Sequence, residues 1–294
     1  MAEAAPLVVI VGPTASGKTS LAIRLAKHFG GEIISADSRA VYQGLDIGTA
    51  KPSIEERDGV PHWGIDLVSP NERFTVVDFQ RYALEKIQEI RSRGHVPFLV
   101  GGTGLYVDSV IYKYEFPDSS HEDVAKRRAL ENWTIEALHE YCTKNNIELP
   151  ENRQNKRYVV NNIMRNGQKR KRNQHPTENT IVVGITTYND ILRSRIESRA
   201  GEIWRSGLID ETHRVSEEYG WQPEAMTGNT YRVARDYLQG KCTEDEARSQ
   251  LAILDRQLAK RQLTWFRRDE HIMWLGIDDA YTYLAQRLAA RSNS

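Results

Sequence analysis

The chain has 294 residues, 39% of them hydrophobic and 27% charged, with 40 Lys plus Arg against 40 Asp plus Glu. That composition is of the soluble, globular kind, long enough for one large domain or a core with an inserted module, and the even charge balance excludes binding driven by overall basicity. Two cysteines, Cys142 and Cys242, cannot build a zinc ribbon or a disulfide framework, the N-terminus has no basic n-region, and no apolar run approaches the ~20 residues of a membrane span, so a cytoplasmic protein without membrane contact is expected.

The first element is "LVVIV", residues 7 to 11, a β-branched run of the type found in strands buried on both faces of a parallel sheet. It leads into Gly12-Pro13-Thr14-Ala15-Ser16-Gly17-Lys18-Thr19, and a helix is predicted from about 17 to 29, stopped by "FGG". A strand, then Gly-x-x-x-x-Gly-Lys-Thr, then a helix is the context that the P-loop signature requires. The glycines let successive backbone N–H groups turn toward one anion, the helix N-terminus adds partial positive charge, Lys18 adds a full charge, and the Thr19 hydroxyl suits Mg²⁺.

"EIISAD" predicts a second buried strand ending at Asp37. The segment from Phe74 to Gly94 has helical periodicity, with Val77, Tyr82, Leu84, Ile87 and Ile90 as core candidates. "VPFLVGG" predicts a third strand of the same kind. Strand, helix, strand, helix, strand predicts an α/β fold: a P-loop NTPase-like parallel sheet flanked by helices. After Pro117 the pattern becomes helical and basic, with eight basic and no acidic residues from Arg153 to Arg172, until "NTIVVGI" resumes the strand pattern. The expected organisation is a P-loop core of 1–117 and 179–294 with a small helical insertion domain at 118–178.

In the last third, "NDILRSRIESRAGEIWRSG" predicts one helix. Another runs from Thr243, which with Glu246 forms a capping box, and has an apolar stripe of Ala247, Leu251, Leu254, Leu258 and Trp265. Arg256, Lys260 and Arg267 share another face of it, in a stretch from Arg256 to Arg268 with five basic and no acidic residues. Local basic blocks on a neutral chain fit either a directed anionic partner or two solvated faces.

A P-loop by itself says only that a di- or triphosphate binds. Phosphoryl-transfer enzymes usually add a magnesium-binding Asp at the end of another strand, whereas "VPFLVGGTG" ends without a carboxylate. Strand ends of an open parallel sheet share one crevice, so Asp37, Thr19 and Thr103 should meet at one ligand. On the residues alone, Asp37 is a metal ligand of a nucleoside or nucleotide kinase, a general base, or an N-cap. Thr103 would equally cap a helix starting near Leu105, and Arg199 would equally be a surface residue.

"GPTASGKT", "ISADSRAVYQGLDIGTAKP", "PHWGIDLVSPNERFTVVDF", "GGTGLYVDSV" and "DRQLAKRQLTWFRR", in this order, strongly resemble the tRNA dimethylallyltransferases, also called tRNA isopentenyltransferases. The likeness spans nearly the whole chain and is weakest from about 118 to 178. It implies transfer of a five-carbon allylic group from dimethylallyl diphosphate to the exocyclic amine of the adenosine just 3′ of a tRNA anticodon. Residues 12 to 19 would then hold the diphosphate, with Mg²⁺ on Thr19 as cofactor. The resemblance further implies Asp37 as the base, Thr103 at the bridging oxygen and Arg199 on the phosphates. It implies tRNA contacts at Asp37, Ser38, Arg39 and Ala40, at Tyr231 and Arg232, and along Lys260, Arg261, Gln262 and Arg267, with Arg256 on the same basic stripe and Arg157 in the insertion. The chain departs from the family at Asn161-Asn162, where Arg-Ala is usual, and the run Lys169-Arg170-Lys171-Arg172 is expected to supply replacement contacts to the tRNA anticodon stem-loop. A monomer is expected.

Overall fold

The computed structural model describes residues 4–116, 124–168 and 171–292. It divides into two compact units, with boundaries at Tyr112/Lys113 and Gln174/His175. Composition had drawn these limits at 118 and 178. Residues 175 to 179 belong with the first unit because their backbone is tied there: the Thr177 N–H donates to Ile111 O at 2.8 Å and the Leu7 N–H to Asn179 O at 2.9 Å.

The first unit is built on six parallel strands: β1 (Leu7–Val11), β2 (Gly31–Ser35), β3 (His62–Trp63), β4 (Val96–Gly101), β5 (Thr180–Ile185) and β6 (Met273–Leu275). Their order across the sheet is β3-β2-β4-β1-β5-β6, and every pairing is parallel. Every residue of β1 is buried, which is why it has no polar position; each such Val, Leu or Ile contributes roughly 1.5–3 kcal/mol by leaving water. Helices α1 (Lys18–Phe29) and α11 (Ile277–Ser292) pack one face, with Leu21, Leu25, Leu284 and Leu288 over Val8, Ile10, Phe98 and Val183. On α2 (Val76–Ser92) and α3 (Gly104–Ile111), Phe79 stacks on Tyr106 with ring centroids 4.1 Å apart.

The buried line of α2 is Phe79, Ala83, Ile87 and Ile90. It corrects the expected Val77, Tyr82 and Leu84, which are half-buried. Small Ala83 takes an inward position, which a pattern of large apolar residues does not mark. Strands β3 and β6 were not anticipated, since two or three residues are too short for a period to register. The second unit holds α4 (Val124–Asn132), α5 (Ile135–Lys144) and α6 (Lys156–Met164) around Leu138, Cys142, Val159, Val160 and Ile163. Its departures from the family pattern carry local bonds. Asn161 accepts from Arg127 at 2.9 Å, and the buried Asn162 donates to Glu148 O at 2.7 Å. No helix among the described residues is long and apolar enough to cross a membrane.

β1 leads through α1 past β4 to β2 on one side, while the chain leaving β4 reaches β5 on the other side of β1. The crevice of such a sheet opens between the carboxyl ends of β1 and β4. Residues 12–17, 36–40 and 102–103 all lie at these strand ends.

Candidate active site

Gly12, Ala15 and Gly17 all have positive φ, at 148°, 61° and 88°, and Gly17 is the N-cap of α1 in left-handed conformation. That alternation curls the loop into the start of a helix, with Ser16 N–H turned to Pro13 O at 3.3 Å within the loop. The first turn of α1 has no acidic residue to compete with an anion. Ser16 Oγ is buried and has no hydrogen-bond partner among the described residues, a hydroxyl left over for an incoming oxyanion. Lys18 Nζ donates to Pro13 O at 2.6 Å. Desolvation pulls its pKa down to about 8, against the attraction of Asp37 and with the repulsion of Arg199. Lys18, Asp37 and Arg199 therefore lie within electrostatic reach of one another.

β2 ends at Ser35 rather than at Asp37, because Ala36 is drawn onto β4: its N–H donates to Val100 O at 2.8 Å and its carbonyl accepts from Thr103 N–H at 3.2 Å. The Thr103 hydroxyl accepts from Ser38 N–H at 3.1 Å. Thr103 is the N-cap residue of α3 but its side chain makes no cap bond, so the capping reading of Thr103 gives way to a link between two loops. Asp37 Oδ1 accepts from Arg39 N–H at 2.8 Å, and Oδ2 has no hydrogen-bond partner among the described residues. Ala40 N–H also reaches Oδ1, at 3.4 Å, so the carboxylate is oriented through that oxygen. Arg39 donates to Glu224 O at 2.7 Å, and Ala40 is buried.

Helix α7 (Asn189–Arg205) brings Arg199 to the site, where it donates to Asp255 Oδ2 at 2.6 Å from α10 (Glu244–Phe266). Burial pushes the Asp255 carboxyl upward while the Arg199 charge and hydrogen bond pull it back. Asp255 escaped the sequence reading. The buried line of α10 is Ala247, Leu251, Ala252, Asp255, Ala259 and Phe266, which corrects the expected Leu254, Leu258 and Trp265. The usable signal was a lone carboxylate on a helix side otherwise occupied by Ala and Leu.

Gln262 lies against the glycine loop. Its Oε1 accepts from Thr14 N–H in the glycine loop at 2.8 Å, and its amide sits so close over Gly102 that a Cβ there would overlap it. Trp265 covers Gly104 in the same way and donates from its indole to Asp108 at 3.0 Å. Gly102 and Gly104 are thus needed for the close approach of α10, and Gly101 for that of the Ala36 backbone.

Tyr231 is corrected more sharply. It is 1% exposed, and its hydroxyl donates at 2.8 Å to the buried Glu211. Glu211 also accepts from the backbone N–H groups of Asp46, Ile47 and Gly48 at 2.8 to 2.9 Å. Tyr231 therefore supports the loop after Asp37 and has no face left for RNA. Arg232, Lys260, Arg261 and Arg267 are exposed. Arg256 faces Glu197 at 3.5 Å, which partly spends its charge. Arg157 is exposed on α6 of the second unit. Of the basic run at 169–172, Lys169 and Arg170 lie outside the described residues, and Lys171 and Arg172 are exposed.

The described residues contain no group of three or more His, Cys, Asp or Glu able to hold a metal. The Thr19 hydroxyl is exposed at the first turn of α1.

Strand order, glycine loop and the three convergent strand ends define a P-loop-type α/β protein with a polar crevice at its strand ends. The family model described as IPP transferase matches residues 40–269, and that of isopentenyl transferase matches residues 5–63. A tRNA dimethylallyltransferase of Acetivibrio thermocellus is 39% identical over 290 aligned residues, 93% of this chain and 92% of the relative. One from Desulforudis audaxviator is 41% identical, covering 93% of each. The crystal structure of the full-length tRNA isopentenylpyrophosphate transferase of Bacillus halodurans superposes with a TM-score of 0.74 at 37% identity, covering 98% of both chains. The chain belongs to the IPP transferase family.

Proposed function

We propose that the protein transfers a dimethylallyl group from dimethylallyl diphosphate to the exocyclic amine of the adenosine 3′-adjacent to the anticodon in tRNA, releasing diphosphate. The observation that carries this reading is the convergence of Lys18, Thr103 and Asp37 at the ends of β1, β4 and β2. An oxyanion cradle and an oriented carboxylate stand at one crevice, in a family whose members act on tRNA.

The bond broken is the allylic carbon–oxygen bond, and the bond formed joins that carbon to the adenine nitrogen. The electron pair leaves with the diphosphate, so catalysis consists mostly of holding that charge. The glycine-loop amides of Ala15 to Thr19, Lys18 and Arg199 bind it, and Thr103 stands by the bridging oxygen. The Thr19 hydroxyl would hold Mg²⁺, which would neutralise part of that charge. The amine acquires positive character as it attacks and gives its proton to Asp37 Oδ2. An anticodon loop can extrude its base into such a crevice, with phosphates on the exposed Arg232, Lys260, Arg261 and Arg267. A role for the helical second unit in tRNA contact, a monomeric state and a cytoplasmic location complete this reading.

The test is mass spectrometry of tRNA after incubation with the protein, Mg²⁺ and dimethylallyl diphosphate, which should show one five-carbon unit gained on an adenosine. Asp37→Ala should abolish most of that gain while diphosphate still binds. Full turnover by the variant would remove Asp37 as the base. Transfer of phosphate in place of the allylic group would remove the whole reading.

A further inference from the structure

Helix α7 carries arginines at 193, 195, 199 and 205, and two of these, with Arg256 of α10, face carboxylates. Arg193 pairs with Glu197 at 3.1 Å, Arg256 approaches the same Glu197 at 3.5 Å, and Arg199 is held by Asp255 at 2.6 Å. Arg195 has no acidic partner among the described residues. It lies one turn before Arg199, so both project from the same side of the helix. An exposed arginine is ordinarily solvated surface. Position sets this one apart: its Nη1 stands 3.9 Å from where a Cβ on Gly17 would be, at the residue that caps α1 and closes the glycine loop.

The local charge sharpens the point. The guanidinium of Arg195, the Arg199 guanidinium, the Lys18 ammonium and the positive end of α1 crowd one loop. Asp255 answers Arg199, and Asp37 stands near Lys18; nothing among the described residues answers Arg195. Like charges gathered at an open cradle repel one another and are relieved by a multivalent anion. We propose that Arg195 is a second phosphate-contacting arginine of the donor site, closing over the diphosphate at the mouth of the loop while Arg199 is held ready by Asp255. The assignment rests on the donor reading given above. It divides the work between the two: a pre-positioned Arg199, and an unrestrained Arg195 that is ordered only when the anion arrives.

Inorganic pyrophosphate with Mg²⁺ is the probe, titrated by calorimetry into wild type, Arg195→Ala, Arg195→Lys and the neighbouring control Arg193→Ala, with anticodon stem-loop affinity and melting temperature measured alongside. Arg195→Ala should weaken pyrophosphate binding roughly 10- to 100-fold, the range for one charge-assisted contact. Arg195→Lys should recover part of it, Arg193→Ala should match wild type, and stem-loop affinity and melting should stay as in wild type. Unchanged pyrophosphate affinity in Arg195→Ala, or a loss confined to stem-loop affinity, overturns the proposal. The two readings fail separately. A wild type that binds pyrophosphate but prenylates no tRNA sinks the proposed function and leaves Arg195 to be judged by its titration. A wild type that prenylates tRNA, with Arg195→Ala binding pyrophosphate normally, sinks only the role of Arg195.

Discussion

Asp255 holds Arg199. The carboxylate on α10 accepts from the guanidinium on α7 at 2.6 Å, and both side chains are largely withdrawn from water. The pair fixes where one positive charge points in a site whose work is to stabilise a departing anion. Asp255→Ala leaves that charge uncompensated and is expected to cost about 3 kcal/mol of stability, with turnover falling at least tenfold. Asp255→Asn keeps an oxygen acceptor for Arg199 and should be much milder on both counts. Denaturant unfolding and steady-state kinetics on the two variants check the ordering, and equal effects would show that the charge of Asp255 matters more than its geometry.

Lys18 connects binding to pH. Burial lowers its pKa to about 8, so the free enzyme loses this charge as pH rises through 8, and kcat/KM for the donor should fall there. Stability runs the other way. The folded protein carries the cost of a desolvated charge in full below pH 8, and the cost is relieved as pH rises from 8 toward the unfolded value of 10.5. Lys18→Met should accordingly lose donor binding, flatten both pH trends and raise the melting temperature of the ligand-free protein by a few degrees.

Gln262 is expected to act on the donor side. Its one hydrogen bond among the described residues is from the Thr14 N–H, so Gln262→Ala should weaken pyrophosphate binding roughly 3- to 10-fold, the value of one neutral hydrogen bond, and leave stem-loop affinity nearly unchanged. Calorimetric titration with each ligand separates this from the RNA contact that the family resemblance implies.

Glu32 anchors the opposite end of the sheet. It is buried, and it accepts from Arg93 at 2.8 and 2.9 Å, from His95 at 2.7 Å and from the Trp63 indole at 2.7 Å. Burial works to raise its pKa, but the bonds from Arg93, His95 and Trp63 outweigh it and bring the group down to about 2. The stabilisation is therefore present in full above the unfolded value of 4.5 and drains away as pH falls from 4.5 toward 2. Glu32→Gln should cost about 3 kcal/mol at neutral pH, lessen the acid sensitivity in that window, and leave kcat at permissive temperature as in wild type.

What the sequence by itself determined was local and contiguous. The run "LVVIV" could only be a strand buried on both faces, and Gly12 to Thr19 could only curl as it does at a helix start, because each is set by residues adjacent in the chain. The ordered motifs reached further and pointed to the family. Tertiary structure decided everything that depends on which face meets which neighbour. Sequence spacing leaves a helix free to rotate about its axis, and only packing against a partner picks the angle. That rotation turned Asp255 inward beneath Arg199, brought Gln262 onto Thr14, buried Tyr231 on Glu211, and aimed Arg195 at Gly17, across separations along the chain that no local period spans.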